Sequence, residues 1–152
     1  MRGLVTFREA TATDLPVVEN LLIAADLSLA GVQPHFPDFV LAVQGNEVLG
    51  VAGLERYGPH GLLRSVAVRA DQQGRGLGQA LTREMIERAT AAGLETLALL
   101  TTTAAAFFPK LGFTPVTRDK LPAALQASSQ LQGGCPASAV VLHLALPQGG
   151  LS

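Results

Sequence analysis

Hydrophobic and polar positions along the chain fall into short alternating runs and two longer helical ones. Leu4 to Arg8 is short and β-rich and predicts a first strand. Thr11 to Pro16 then opens a helix. Thr13 or Thr11 can cap it, Asp14 suits its positive end, and Pro16 is tolerated in the first turn. Leu15, Val18, Leu22 and Ala25 keep helical spacing and are expected on the core face. Ser28 to Pro37 reads as a loop carrying His35. Phe39 to Val43, a Gly45-Asn46 turn and Val48 to Tyr57 read as an antiparallel hairpin. A turn at His60-Gly61 leads into an apolar strand, Leu62 to Val68.

A polar corner, Arg69 to Gln73, and a glycine run, Gly74-Arg75-Gly76-Leu77-Gly78, come next. The following helix carries Leu77, Leu81, Met85 and Ala89 on one stripe and stops at Gly93. Thr96 to Leu100 is nearly all apolar, as suits a strand covered on both faces. Strand, helix, strand makes a parallel pair by a crossover. A short helix is expected through Phe107 to Leu111, with a strand starting at Gly112-Phe113. Another short helix is expected from Arg118 to about Gln126. A polar loop, Ser128 to Gly134, and Cys135-Pro136-Ala137-Ser138 then lead to a last strand, Ala139 to Leu146. Periodicity thus gives an α/β chain with an antiparallel first half.

Composition narrows the classes. The 152 residues suit one domain, expected over 1–146 with a frayed tail at 147–152. Hydrophobic residues reach 48% and charged ones only 15%, which disfavours disorder. A net charge of −1 leaves no electrostatic footprint for nucleic acid or an anionic membrane. No apolar run is long enough to span a bilayer. Cys135 stands alone and forms no internal disulfide, so a cytoplasmic protein is expected. No His, Cys or carboxylate cluster has metal spacing, and no metal is expected.

The chemistry is concentrated where the apolar strand meets the glycine run. Glycines let backbone N–H groups approach an anion, and the first N–H groups of the helix have no carbonyl partner. The stretch reads as a cradle for a ligand pyrophosphate. Gly78 is followed by Gln79-Ala80, not by the Lys-Ser/Thr pair of a P-loop. The third glycine comes one residue too soon for a Rossmann fingerprint. Gln73-x-x-Gly76-x-Gly78 after an apolar strand resembles the acyl-CoA loop of the GCN5-related N-acetyltransferases (GNAT). The later run Phe107-Phe108-Pro109-Lys110-Leu111-Gly112-Phe113 resembles the same family.

That resemblance implies a mixed, mostly antiparallel sheet of six to seven strands, splayed between the fourth and fifth, with helices on both faces. It implies acetyl-CoA as cosubstrate, with Val66, Ala67 and Val68 along pantetheine. Gln73, Gly74, Arg75, Gly76, Leu77, Gly78 and Gln79 would surround the pyrophosphate, and Phe107 and Lys110 would lie beside the pantetheine arm. An amine must attack as the free base, so a proton acceptor is needed, and Glu55 is the candidate. The family supplies an oxyanion donor from a fourth-strand amide near Val66. Arg64 is read either as a ligand for a substrate carboxylate or as a salt-bridge partner of Glu55. Ser65, Thr102 and Arg118 complete the candidate acceptor residues. The family's tyrosine that protonates the leaving thiolate is replaced by Phe108, which leaves that proton to water, Ser65 or Thr101 to Thr103.

The acceptor is approached through two weaker likenesses. The runs G-L-E-R-Y-G, L-L-T-T-T-A and C-P-A-S-A resemble the arsenic-resistance N-acetyltransferases. The run Gly112 to Pro122 is similar to the acetyltransferase domain of N-acetylglutamate synthases. Both imply a small amine or amino-acid acceptor. Cys135 reads better as a packed turn residue than as an arsenic ligand. A non-catalytic acetyl-CoA-binding module and a protein N-terminus as acceptor stay open, as do monomer and homodimer.

Overall fold

The computed structural model describes residues 4–102, 104, 106–128, 130–131 and 139–148. Thr103, Cys135 with its turn, most of the Ser128 to Gly134 loop and the tail from 149 on lie outside the described residues. The elements are β1 (Thr6–Glu9), α1 (Leu15–Ala24), α2 (Val32–His35), β2 (Val40–Gln44), β3 (Glu47–Tyr57) and β4 (His60–Val68), then α3 (Leu77–Ala91), β5 (Thr96–Thr101), β6 (Thr114–Val116) and β7 (Val140–Ala145). Hydrogen bonding orders the seven strands β1-β2-β3-β4-β5-β7-β6. The β4–β5 pair is parallel, and the β1–β2, β2–β3, β5–β7 and β6–β7 pairs are antiparallel. This is the mixed, mostly antiparallel sheet that the family resemblance implies. The chain packs as two compact units: one takes in residues up to Leu54 with Ser65–Met85, the other Glu55–Arg64 with residues from Ile86 on.

In the first unit, Thr11 and Asp14 form a capping box ahead of α1, with the Thr11 N–H donating to Asp14 Oδ2 at 2.8 Å. Arg8 grips the same carboxylate through both terminal nitrogens, at 2.8 and 3.0 Å. Together they hold the Asp14 carboxyl well below the usual carboxylate range, chiefly through the Arg8 hydrogen bonds. Val18 and Leu22 then reach a core with Phe36, Phe39, Leu41, Val51 and Ala67. Ala25, expected on the core face, is exposed because α1 ends before it. Asp26, left-handed at φ 58°, turns the chain away, and the Leu27 N–H closes on Leu22 O at 2.8 Å. The loop expected around His35 contains the short helix α2. Gly53 has a packing reason: a Cβ there would stand 2.4 Å from the Phe39 ring.

In the second unit, β4 and β5 pair over His60–Thr96, Gly61–Leu97 and Leu62–Ala98, and β5 then runs on to Thr101. β7 inserts between β5 and β6, opposite Thr96 to Thr101 on one side and Thr114 to Val116 on the other. Leu62, Ala98 and Val141 share a buried cluster with Leu121 and Leu125. The short helix expected at Arg118 to Gln126 is instead two 3-10 turns, Arg118–Lys120 and Ala123–Ala127, separated at Pro122. The Phe107 to Leu111 helix is likewise a single 3-10 turn, Phe108–Leu111, closed by left-handed Gly112 (φ 102°), so β6 starts only at Thr114. Along α3, which runs through both units, Leu81, Met85 and Ala89 are buried and Leu77 is half-buried. Gly93 (φ 84°) ends that helix as expected.

Candidate active site

The glycine loop belongs to the first unit. β4 delivers Val66, Ala67 and Val68, of which Ala67 is buried and the other two half-buried. At the strand's end the Arg69 N–H donates to Leu49 O at 2.8 Å, anchoring the corner on β3. Arg69 also bonds Asp71 through Nε at 2.7 Å and lies 3.5 Å from Glu47. The Gln73 side chain turns back and donates from Nε2 to Val68 O at 3.2 Å. Gln73 therefore shapes the loop by bracing the end of the strand.

Gly74 and Gly76 are left-handed, at φ 81° and 78°. A Cβ on either would meet no atom within 4 Å, so both face open space. The helical ladder begins with the Ala80 N–H on Gly76 O at 3.0 Å. The N–H groups of Leu77, Gly78 and Gln79 precede that ladder and sit at the positive end of α3. Gly74, Arg75, Gly76 and Gln79 are exposed, and Leu77 and Gly78 half-buried. Room, two left-handed glycines and the start of a long helix together would suit a diphosphate.

Within β4, Ser65 is left-handed at φ 59°. A side chain with a Cβ is disfavoured there, and the residue interrupts the pleat. Counting strand faces in twos along β4 does not carry across it. No sequence signal marked this position, because serine carries none for positive φ.

The second unit buries a polar cluster. Glu55 is 0% exposed and Arg64 4%. Arg64 Nη1 donates to Glu55 Oε2 at 2.6 Å. The Tyr57 hydroxyl donates to Oε1 at 2.5 Å, and the Ser128 side chain, also fully buried, bonds the same carboxylate. Burial pushes the Glu55 carboxyl up, but the hydrogen bonds of Tyr57, Ser128 and Arg64 and the Arg64 charge outweigh it and hold the group below its ordinary value. That environment suits a carboxylate that stays charged and anchors an arginine better than one that takes up protons. Burial first, and Glu55 second, push Tyr57 up to about 12. The Tyr57 hydroxyl proton is engaged on Glu55.

Sequence reasoning paired Glu55 with Arg64 but missed Tyr57 and Ser128. Tyr57 lies two residues along β3 on the same strand face, a period-2 signal that could have found it. Ser128 had no local signal.

The remaining candidates belong to the second unit. Thr102 is exposed after β5, while Thr101 Oγ1 accepts the Ala104 N–H at 2.9 Å. Phe107 is half-buried and packs edge-on against buried Phe108, with ring centres 4.9 Å apart. Lys110 is exposed, and Arg118 is half-buried in its 3-10 turn. Among the described residues, no group of three or more His, Cys, Asp or Glu could hold a metal ion.

The chain is similar to several known proteins. A relative from Ralstonia nicotianae, an amino-acid acetyltransferase, is 32% identical over 124 residues, covering 76% of this chain and 28% of its own. N-acetylglutamate synthase from Neisseria gonorrhoeae, solved with coenzyme A and N-acetyl-glutamate, superposes with a TM-score of 0.82 at 22% identity, over 97% of this chain and 36% of its own. The chain thus spans about a third of the length of these two relatives. The Escherichia coli ribosomal-protein-S18-alanine N-acetyltransferase shares the fold end to end, with a TM-score of 0.70 at 20% identity over 98% of both chains. Residues 36–115, from just after α2 into β6, match the acetyltransferase (GNAT) domain, and the chain belongs to that family.

Proposed function

We propose that the protein is an acetyl-CoA-dependent N-acetyltransferase acting on the amino group of an α-amino acid. The observation that carries the reading is the loop: two left-handed glycines facing open space at the head of a fifteen-residue helix. The N–H groups from Gly74 to Gln79 would hold the pyrophosphate, with Arg75 adding charge. Val66 to Val68 would offer strand backbone to the pantetheine amides. The cosubstrate, when bound, supplies an activated acetyl group. The chain's task is to hold it and to bring a deprotonated amine to it.

The acceptor class is supported by the 32% identical amino-acid acetyltransferase. A narrower acceptor, an amino acid carrying arsenic or phosphorus, rests on the sequence runs that resemble arsenic-resistance acetyltransferases. The test is free-thiol release from acetyl-CoA across glutamate, methionine, phosphinothricin and arsinothricin. Turnover with one or more of them is expected. Silence across the panel with acetyl-CoA binding intact in a calorimeter would remove the amino-acid reading.

A further inference from the structure

In the first unit the glycine loop hangs between two ends that are held in different ways. At the helix end α3 lies close on β3: a Cβ on Gly50 would stand 2.9 Å from Leu81 Cδ1 and 3.0 Å from Ala67 O. Packing sets that end. At the strand end, none of the corner residues from Arg69 to Gln73 is buried. Polar ties hold it instead: the Arg69 N–H on Leu49 O at 2.8 Å, the Gln72 N–H on Arg69 O at 2.8 Å and Gln73 Nε2 on Val68 O at 3.2 Å. The Arg69 side chain adds the tie with the longest reach. Its Nε and Nη2 donate to Asp71 Oδ1 and Oδ2 at 2.7 and 3.1 Å, and its Nη1 lies 3.5 Å from Glu47 Oε1 at the head of β3. The Arg69 hydrogen bonds hold the Asp71 carboxyl below its ordinary value, so it stays charged. Exposed ion pairs add little to stability, but a planar fork gripped on two sides fixes direction. Two carboxylates on one guanidinium also leave a net negative charge beside a loop read as an anion cradle. Charge alone would weaken such a cradle, so geometry is the better account of these acids.

We propose that Arg69, gripped by Asp71 and Glu47, is a positioning residue: a latch that ties the corner to the head of β3 and sets the direction in which Gly74 and Gly76 present the loop to the diphosphate of CoA. This role rests on the reading of the loop as the diphosphate seat. With a packed helix end and a latched strand end, the loop keeps few conformations in the free chain, and little ordering is left to be done when the ligand arrives. With the latch open, the 3-10 turn Ala70–Gln72 loses its outer brace and the loop must be ordered on binding. A latch and a local field predict opposite signs. If the two acids acted only through their charge, removing one would tighten the hold on an anion. If they act through Arg69, removing one loosens it.

The test measures CoA affinity of the full chain by calorimetry in the wild type, Arg69→Gln, Asp71→Asn, Glu47→Gln and the Arg69→Gln/Asp71→Asn double variant. Amide hydrogen exchange over residues 69–79 of the ligand-free chain is followed alongside. Asp71→Asn should weaken CoA binding by about threefold, Glu47→Gln by about twofold and Arg69→Gln by about fivefold, with the thermal midpoint little changed. The double variant should bind no more weakly than Arg69→Gln alone, because the latch opens once. Exchange at the corner and loop amides should quicken in every variant. Unchanged or tighter binding in Asp71→Asn, losses that add in the double variant, or unchanged exchange would each overturn the latch while leaving the loop as the diphosphate seat. A wild type that binds no CoA would overturn the reading of the loop, and the latch with it.

Discussion

Around Gly74 and Gly76 the chain leaves open space where a Cβ would stand, whereas around Glu55 it turns polar side chains onto one another and hides them. On the proposed reading the first region would work mostly through its backbone: helix polarity and the absence of Cβ atoms, with Arg75 adding charge. The second is made of side chains drawn from two strands and a distant turn. The contrast teaches how each should fail. A loop that binds through its backbone can lose its ligand while the fold survives. A buried cluster closed on itself should lose the fold, or the geometry next to it, first.

The largest expected effect tests the cluster side. Arg64→Ala strands the Glu55 carboxylate without its charge partner in a buried site, which should cost about 3–5 kcal/mol of unfolding free energy. Urea titration would read it, and a loss below about 1 kcal/mol would mean that water reaches the pair and that the cluster is less closed than described. On the loop side, Gly76→Asp puts a side chain and a negative charge at a left-handed position in the cradle. Acetyl-CoA affinity should fall by at least about 100-fold, close to 3 kcal/mol, with the thermal midpoint little changed. Equal losses of stability and affinity would erase the contrast between the regions.

The smallest effect is spectroscopic. Tyr57 is the single tyrosine and there is no tryptophan, so phenolate absorbance reports one group. Its midpoint should lie near 12 instead of near 10. The folded pKa is raised, so the stability it contributes is whole below about pH 10 and is lost as pH rises from there towards 12. Glu55→Gln should bring the midpoint part of the way back, since burial, the larger cause, remains. A wild-type midpoint near 10 would show the hydroxyl both solvated and not held by Glu55.

The two regions also differ in how far the sequence reveals them. The loop is legible because its glycine spacing, its strand and its helix are contiguous, and each residue's conformational needs are written locally. The meander, the parallel crossover and the Gly93 stop are legible for the same reason. The cluster is legible only in part. Glu55 and Arg64 announce themselves as charges in apolar strands, yet nothing local ties Ser128 to them. The left-handed Ser65 is invisible because its conformation is imposed by neighbours and not chosen by its own side chain. Ala25 and the 3-10 turns around Pro122 were misjudged where helical grammar met an early stop or a proline. Gly53 gave no sign that its missing Cβ makes room for Phe39.

The place of β7 has a consequence for synthesis. Chains emerge from the N-terminus, and early segments can fold first. β6 is made before β7 but hydrogen-bonds to it, and β5 also waits for β7 on that side. Until residues 140–145 leave the ribosome, β5 keeps an open edge of unpaired amides and β6 has no ladder to join. That interval, in which the apolar β5 has no neighbour on its β7 side, is when a nascent chain is most exposed to pairing with the wrong partner. A chaperone's hold on the growing chain would matter most there.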